Sequence, residues 1–269
     1  MKKSDTDLEC IAKSIRRSVV RMAHASKASH TGSALSIVDL LTVLYFKVLN
    51  VQPGNPGYAV RDRFILSKGH ASAALYATLA ERGFFEKALL DTYYIDGGVL
   101  PGHVDFTAVP GIEVSSGSLG HGLSLGAGMA LAMQYDRISS RVFVLMGDGE
   151  LNEGSVWESL MFIPHKHLLN ITIIVDCNNY QGYGPSAEVM NMAPLDGKLE
   201  SFGWEVVCIN GHSFGEIEKA LQMKPCAKPR IVLACTVKGK GVSYMEGEFV
   251  WHYKSPDDQQ LAQALKELE

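Results

Sequence analysis

The stretch VFVLMGDGELNEG, residues 142–154, runs from an apolar block straight into a carboxylate set between two glycines. Further on, NITIIVDCNNY, residues 170–180, repeats the pattern with a β-branched block that ends in polar side chains. Blocks this short and this uniformly apolar read as strands buried on both faces. Open parallel sheets bind ligands beyond the carboxyl ends of their strands. Asp148 and Asn178, at the tips of consecutive strands, are therefore the first candidates for chemistry. Their carboxylate and amide oxygens are hard ligands that suit a magnesium or calcium ion. Gly147 and Gly149 leave room for a ligand to approach the backbone. A helix starting just beyond would offer free N–H groups to a phosphate.

Outward from this centre, residues 63–67, 204–209 and 230–235 read as further strands. Helical spacing marks 6–26, where Leu8, Ile11, Ile15, Val19 and Met22 recur every three or four positions. Helices are also expected over 36–49, over 70–83 with Gly83 as its C-terminal cap, and over 123–136, 154–167 and 213–223. Pro164 should end or kink the helix over 154–167. A glycine- and proline-rich loop fills 96–122. Apolar strands alternating with helices predict an α/β fold, a mostly parallel sheet flanked by helices on both faces. With no internal repeat and no dividing linker, residues 1–269 are expected to form a single domain.

The 269 residues are 46% hydrophobic and carry a formal net charge of −4. That balance gives no polyanion-binding face, and clusters such as Lys2-Lys3 and Arg16-Arg17 read as solvated helix surface rather than nucleic-acid contacts. The start has no signal-like apolar core, and no uninterrupted apolar run approaches the ~18 residues of a membrane helix. Cys10, Cys177, Cys208, Cys226 and Cys235 are odd in number and form no C-x-x-C pair. Reduced thiols in a cytoplasmic protein are the expectation.

The blocks GDGELNEG and VDCNN together resemble the thiamin diphosphate signature. More narrowly, DRFILSKGHASAALY, LPGH, SSGSLGHGLSLGAGMA, VDCNNYQ and TVKGKGVSYMEGEFVWH, in this order, resemble the N-terminal, diphosphate-binding third of transketolase. The resemblance implies a divalent metal (Mg2+, or Ca2+ or Mn2+) on Asp148, Asn178 and the backbone carbonyl of Tyr180, bridging the diphosphate of thiamin diphosphate. It assigns cofactor contacts to Ser33, His70, Gly117, Ser118, Leu119, Gly149, Asn178, Lys238 and His252. His30, His103 and His252 match catalytic histidines of the channel, where a pKa near 6.5 suits proton transfer to and from substrate hydroxyls. His24, His165, His167 and His212 keep the ordinary reading of a solvated or capping histidine. His121 stands where many transketolases carry glutamine, Glu153 matches a position near the metal site or a subunit interface, and SHTG replaces GHPG around His30.

In the family, the glutamate that activates the cofactor ring belongs to a second, pyrimidine-binding domain. No such domain follows here before Glu269, so it is expected on a separate polypeptide. The implied assembly is a split transketolase, built as a dimer of heterodimers, that moves a two-carbon ketol unit from a ketose to an aldose. The closing segment, with Leu261, Leu265 and Leu268, is expected to be helical and either docks onto that partner or caps this domain. Two alternatives compete: the α-subunit of a 2-oxoacid dehydrogenase, which shares the metal signature, and a non-catalytic cofactor-binding module.

Overall fold

The computed structural model describes residues 3–223 and 227–269, and Lys2 and Cys226 lie outside them. The chain opens with α1 (Asp5–Ser26), started by a capping box between Ser4 and Asp7. Next come α2 (Thr31–Leu35) and α3 (Val38–Val43), the latter prolonged by a π turn over Leu44–Val48. β1 (Arg63–Leu66) leads through a short turn into α4 (Ser72–Arg82), which Gly83 closes at φ +91°. After the long loop come α5 (His121–Tyr135), β2 (Val142–Gly147), α6 (Gly154–His165) and β3 (Ile171–Cys177). A small hairpin, β4 (Tyr180–Gln181) and β5 (Gly184–Pro185), precedes α7 (Ser186–Val189) and α8 (Leu195–Ser201). β6 (Glu205–Asn210), α9 (Phe214–Gln222), β7 (Arg230–Cys235) and α10 (Asp258–Glu267) complete the fold.

The main sheet has the order β1-β2-β3-β7-β6, and every pairing in it is parallel. Alternate side chains of each strand feed two separate cores. Phe143, Leu145, Ile174 and Val232 join α1, α3, α4 and α9 on one face. Val142, Val144, Ile173, Val175 and Ile231 join α5, α6 and Trp204 on the other. This is why the strands read as continuous apolar runs. The expected α/β architecture, with helices on both faces, is the observed one.

Two expected helices differ in instructive ways. The run over 36–49 is broken at Ser36, whose hydroxyl donates to the buried carboxylate of Asp176 at 2.8 Å, and helix also extends back to Thr31. Taken together, Thr31–Val48 has the length and mean hydropathy (1.4) of a membrane span, yet 89% of it is buried inside this fold. Pro164 lies in the last turn of α6. Its missing N–H frees the Leu160 carbonyl, which accepts from Trp204 Nε1 at 2.9 Å instead. α10 packs on this chain's own core through Leu261, Leu265 and Leu268, which satisfies the capping reading of the closing segment.

Candidate active site

The carboxyl ends of β1, β2 and β3 open into a cavity of about 550 Å³. Parallel pairing sets Gly147 level with Asp176, so Asp148 and Asn178 emerge side by side from adjacent strands, as expected. Of the sequence-predicted residues, His30, Ser33, His70, His103, Gly117, Leu119, Asp148, Gly149, Asn178, Tyr180 and His252 all line this cavity. Ser118 is exposed and does not line it. Lys238 stands one side chain behind the wall: its Nζ donates to Ser33 Oγ at 2.9 Å and lies 3.2 Å from His252 Nδ1.

At the tip of β2 the Asp148 carboxylate accepts from the Gly149 N–H at 2.9 Å and from the Ser186 hydroxyl at 2.9 Å. Directly after Asp148 the chain makes a 3-10 turn, Gly149–Asn152, and α6 begins at Gly154, where the sequence places it. Asp148 itself caps that turn, which is why the Gly149 N–H points at a carboxylate rather than standing free. Burial, and then the nearby Asp176 carboxylate, push the Asp148 carboxyl up to about 6.

Asn178 is held from both sides. Its amide donates to Asp176 Oδ2 at 2.7 Å, and its Oδ1 accepts from the Tyr180 N–H at 3.1 Å. Asp176 is fully buried and also accepts from Lys68 Nζ at 2.6 Å and from the hydroxyls of Ser36 and Thr236. These donors hold its carboxyl below the usual carboxylate range despite the burial that opposes them.

Across the cavity, α2 begins at His30 in left-handed backbone, φ +67°, with its N–H on the His252 carbonyl at 2.9 Å. Its ring centroid lies 4.9 Å from that of His70, 4.8 Å from His252 and 6.3 Å from His103. Burial, then neighbouring cationic groups, lower His30 to about 4 and His252 to about 3, and hold His70 well below its ordinary value. All three rings are neutral near pH 7, and their lowered values make them weaker bases than the ordinary imidazole expected from the sequence. The ammonium of Lys238 has only protons to offer, so it binds the Nδ1 lone pair of His252 and leaves that ring's proton on Nε2. His30 Nδ1 is buried and has no hydrogen-bond partner among the described residues.

Sequence reasoning passed over three residues. Lys68, Glu150 and Asp176 all sit in quoted blocks, SKGH, GDGE and VDCNN, and a charged residue at the end of a buried strand was the available signal. Glu150 clamps the cavity floor, accepting from the N–H groups of Gly120 at 2.8 Å and Gly147 at 3.3 Å, and from Ser67. His212, read as a solvated or capping histidine, is instead packed against Asp39 with 13% of its side chain exposed. His165 and His167 are exposed, as the ordinary reading has it, whereas half-buried His24 bonds the Pro256 carbonyl just ahead of α10, which Asp257 caps. His121 is exposed at the start of α5, whereas exposed Glu153 borders the cavity. Among the described residues no three His, Cys, Asp or Glu gather as a metal-holding group.

Comparison with known proteins agrees with this geometry. Residues 8–268 match the family described as transketolase, thiamine diphosphate binding domain. One of the subunits of the apulose-4-phosphate transketolase of Phocaeicola vulgatus is 40% identical over 263 residues, 97% of this chain and 93% of that protein. The 6-deoxy-6-sulfo-D-fructose transketolase subunit SqwG of a Clostridium species is 39% identical, covering 100% of this chain and 98% of its own. The crystal structure of Campylobacter jejuni transketolase superimposes with a TM-score of 0.91 at 30% identity, over 97% of this chain and 42% of that one. Human transketolase is 35% identical, and again 42% of its length is covered, so the chain spans about two fifths of these longer enzymes. By family match and by full-length similarity, the chain belongs to the thiamine diphosphate-binding domain family of the transketolases.

Proposed function

We propose that this chain is the diphosphate-binding half of a split transketolase, which moves a two-carbon ketol unit from a ketose to an aldose. The observation that carries the reading is the convergence of the strand-tip oxygens of Asp148 and Asn178 with the rings of His30, His70, His103 and His252 on one cavity. The two relatives named as subunits run almost end to end with this chain, which supports a second polypeptide carrying the pyrimidine-binding domain and its activating glutamate. On this reading residues 1–269 form one diphosphate-binding domain, and two such pairs associate as a dimer of heterodimers. Both relatives are named for ketoses with an anionic tail, phosphate in one and sulfonate in the other. A ketose of that class is the proposed donor.

The residues present fit thiamin diphosphate and a divalent ion. Asp148, Asn178 and the carbonyl of Tyr180 would hold Mg2+ through hard oxygen donors, and the raised Asp148 carboxyl marks a buried charge that a cation would stabilise. Lys238 and Lys68 would offset the charge of the diphosphate, with Ser33, His70, Gly117, Leu119 and Gly149 as further cofactor contacts. When bound, the cofactor supplies an electron sink for cleavage beside a ketose carbonyl. His30, His103 and His252 orient substrate hydroxyls and accept or return their protons. The neutral state of His30 and His252 at pH 7 suits hydrogen bonding to those hydroxyls.

Co-purification with the partner polypeptide, followed by assays of ketoses with different tails, tests the reading. Ketol transfer is expected from the assembled pair and not from this chain alone. Full activity without a partner overturns the split arrangement, and turnover of a 2-oxoacid in place of a ketose hands the chain to the dehydrogenase alternative.

A further inference from the structure

Outside the cavity, a buried polar chain joins three separate elements to the turn that carries Lys238. Asp39, in α3 and 4% exposed, accepts from Arg16 Nη2 at 2.7 Å and pairs with His212 Nδ1 at 2.8 Å. On the far side of the ring, His212 Nε2 lies 2.9 Å from the Val237 nitrogen. A backbone N–H can only donate, so Nε2 offers its lone pair and Nδ1 carries the proton that Asp39 accepts. The tautomer is thus set by its two partners. Arg16 Nε donates to the Lys240 carbonyl at 3.0 Å, so the same carboxylate governs two backbone points, one on each side of Lys238. The turn has little room to adapt: Gly241 stands at φ +95°, and a Cβ there would lie 2.8 Å from Arg16 Cδ.

None of Arg16, Asp39 or His212 lines the cavity. Lys238 follows Val237 directly and is 1% exposed, with its ammonium on Ser33 and His252, both of which do line it. A shift of the Val237 backbone therefore moves the one ammonium that touches both of these cavity-lining groups.

We infer that His212 is a positioning residue for Lys238: its Nε2 lone pair holds the Val237 N–H and so fixes where the ammonium stands, and Asp39 acts by setting the tautomer that leaves that lone pair available. The consequence for cofactor binding rests on the functional reading above, whereas the anchoring itself does not.

Two substitutions separate the halves of the imidazole. In His212→Asn the amide reaches the place of Nδ1 and keeps the donor to Asp39, but the acceptor for Val237 is lost. In His212→Gln the amide reaches the place of Nε2 and keeps that acceptor. Each variant removes one hydrogen bond, so a purely structural role affects both alike. In the free full-length chain, His212→Asn is expected to speed amide exchange at Val237 about tenfold and to shift the side-chain nitrogen resonance of Lys238, while His212→Gln leaves both near wild type. In the assembled enzyme the Kd for thiamin diphosphate rises about tenfold for His212→Asn and less than about threefold for His212→Gln. Equal behaviour of the two variants, or a Lys238 resonance unmoved in His212→Asn, overturns the proposal. If His212→Asn does not fold, the wild-type chain still decides, because a Val237 amide that exchanges freely overturns it and a protected one upholds it. A wild-type assembly that binds no thiamin diphosphate sinks the functional reading, and the free-chain measurements then judge the anchor alone.

Discussion

Lys68 Nζ lies 2.6 Å from Asp176 Oδ2, with side-chain exposures of 2% and 0%. The ion pair of Lys87 with Glu81 has the same 2.6 Å separation, but Lys87 is 57% exposed. Distance alone would rank the two equally, and burial separates them. Removing one partner of a sealed pair strands the other charge and costs about 3–5 kcal/mol. Lys68→Met is expected to lower stability by about that amount in urea unfolding, and Lys87→Met by less than about 1 kcal/mol. Equal losses would show that Asp176 is held by its hydroxyl and amide donors without the lysine.

The strand-tip assignment has its own test. Asp148→Ala removes the single carboxylate among the proposed metal oxygens and leaves Asn178 anchored by Asp176. Calorimetric titration of the assembled enzyme with thiamin diphosphate should show tight binding that depends on Mg2+ in the wild type and is abolished by a chelator. In Asp148→Ala, adding Mg2+ should no longer change the affinity. An unchanged metal dependence would discard Asp148 as a ligand.

Strand positions and the ligand-bearing strand tips were legible in the sequence because both depend on local pattern. VFVLM and ITIIV are apolar at every position but one, the threonine Thr172, since each face of the sheet meets its own core. What the sequence hid was long-range. Nothing local pairs Asp39 with His212, which are 173 residues apart, or Lys68 with Asp176, which are 108 apart. Ser36 broke an otherwise regular helical pattern for the same reason, because its partner is Asp176 on β3. His30, His70, His103 and His252 were found through their flanking blocks, and only the fold shows their rings in contact range.

Acid should destabilise the free chain, and the direction follows from the histidines. In the unfolded chain a histidine titrates near 6.5, whereas the folded chain holds His30 at about 4 and His252 at about 3, with His70 also well below. Between these values the unfolded state binds protons that the native state refuses, so the histidine contribution is intact above about pH 6.5 and is lost as pH falls toward the folded values. Asp148, raised to about 6, and Glu113 and Glu150, raised by burial above their ordinary value, work in the opposite sense, but mainly at and below about pH 6, so the histidines set the direction as pH first falls from 7. Urea midpoints should therefore drop between about pH 7 and about pH 5. Replacing His30 and His252 with asparagine should flatten that slope, and an unaltered slope would assign it to other groups.

His103 separates turnover from cofactor retention. Its side chain is exposed at the cavity rim, 6.3 Å from the His30 ring centroid. The loop around it is fixed through the backbone: its carbonyl accepts from the buried Tyr76 hydroxyl at 3.2 Å, a bond that alanine at this position retains. His103→Ala should thus remove an imidazole without moving the loop. If that ring exchanges protons with substrate hydroxyls, kcat falls by about a hundredfold, within the usual contribution of general acid–base catalysis. The Kd for thiamin diphosphate should change by less than about threefold, because the proposed diphosphate contacts lie with Asp148, Asn178 and Lys238 rather than at the rim. Steady-state kinetics and calorimetry on the same assembled preparation give both numbers. A large loss of affinity with kcat preserved would move His103 from the substrate channel to the diphosphate.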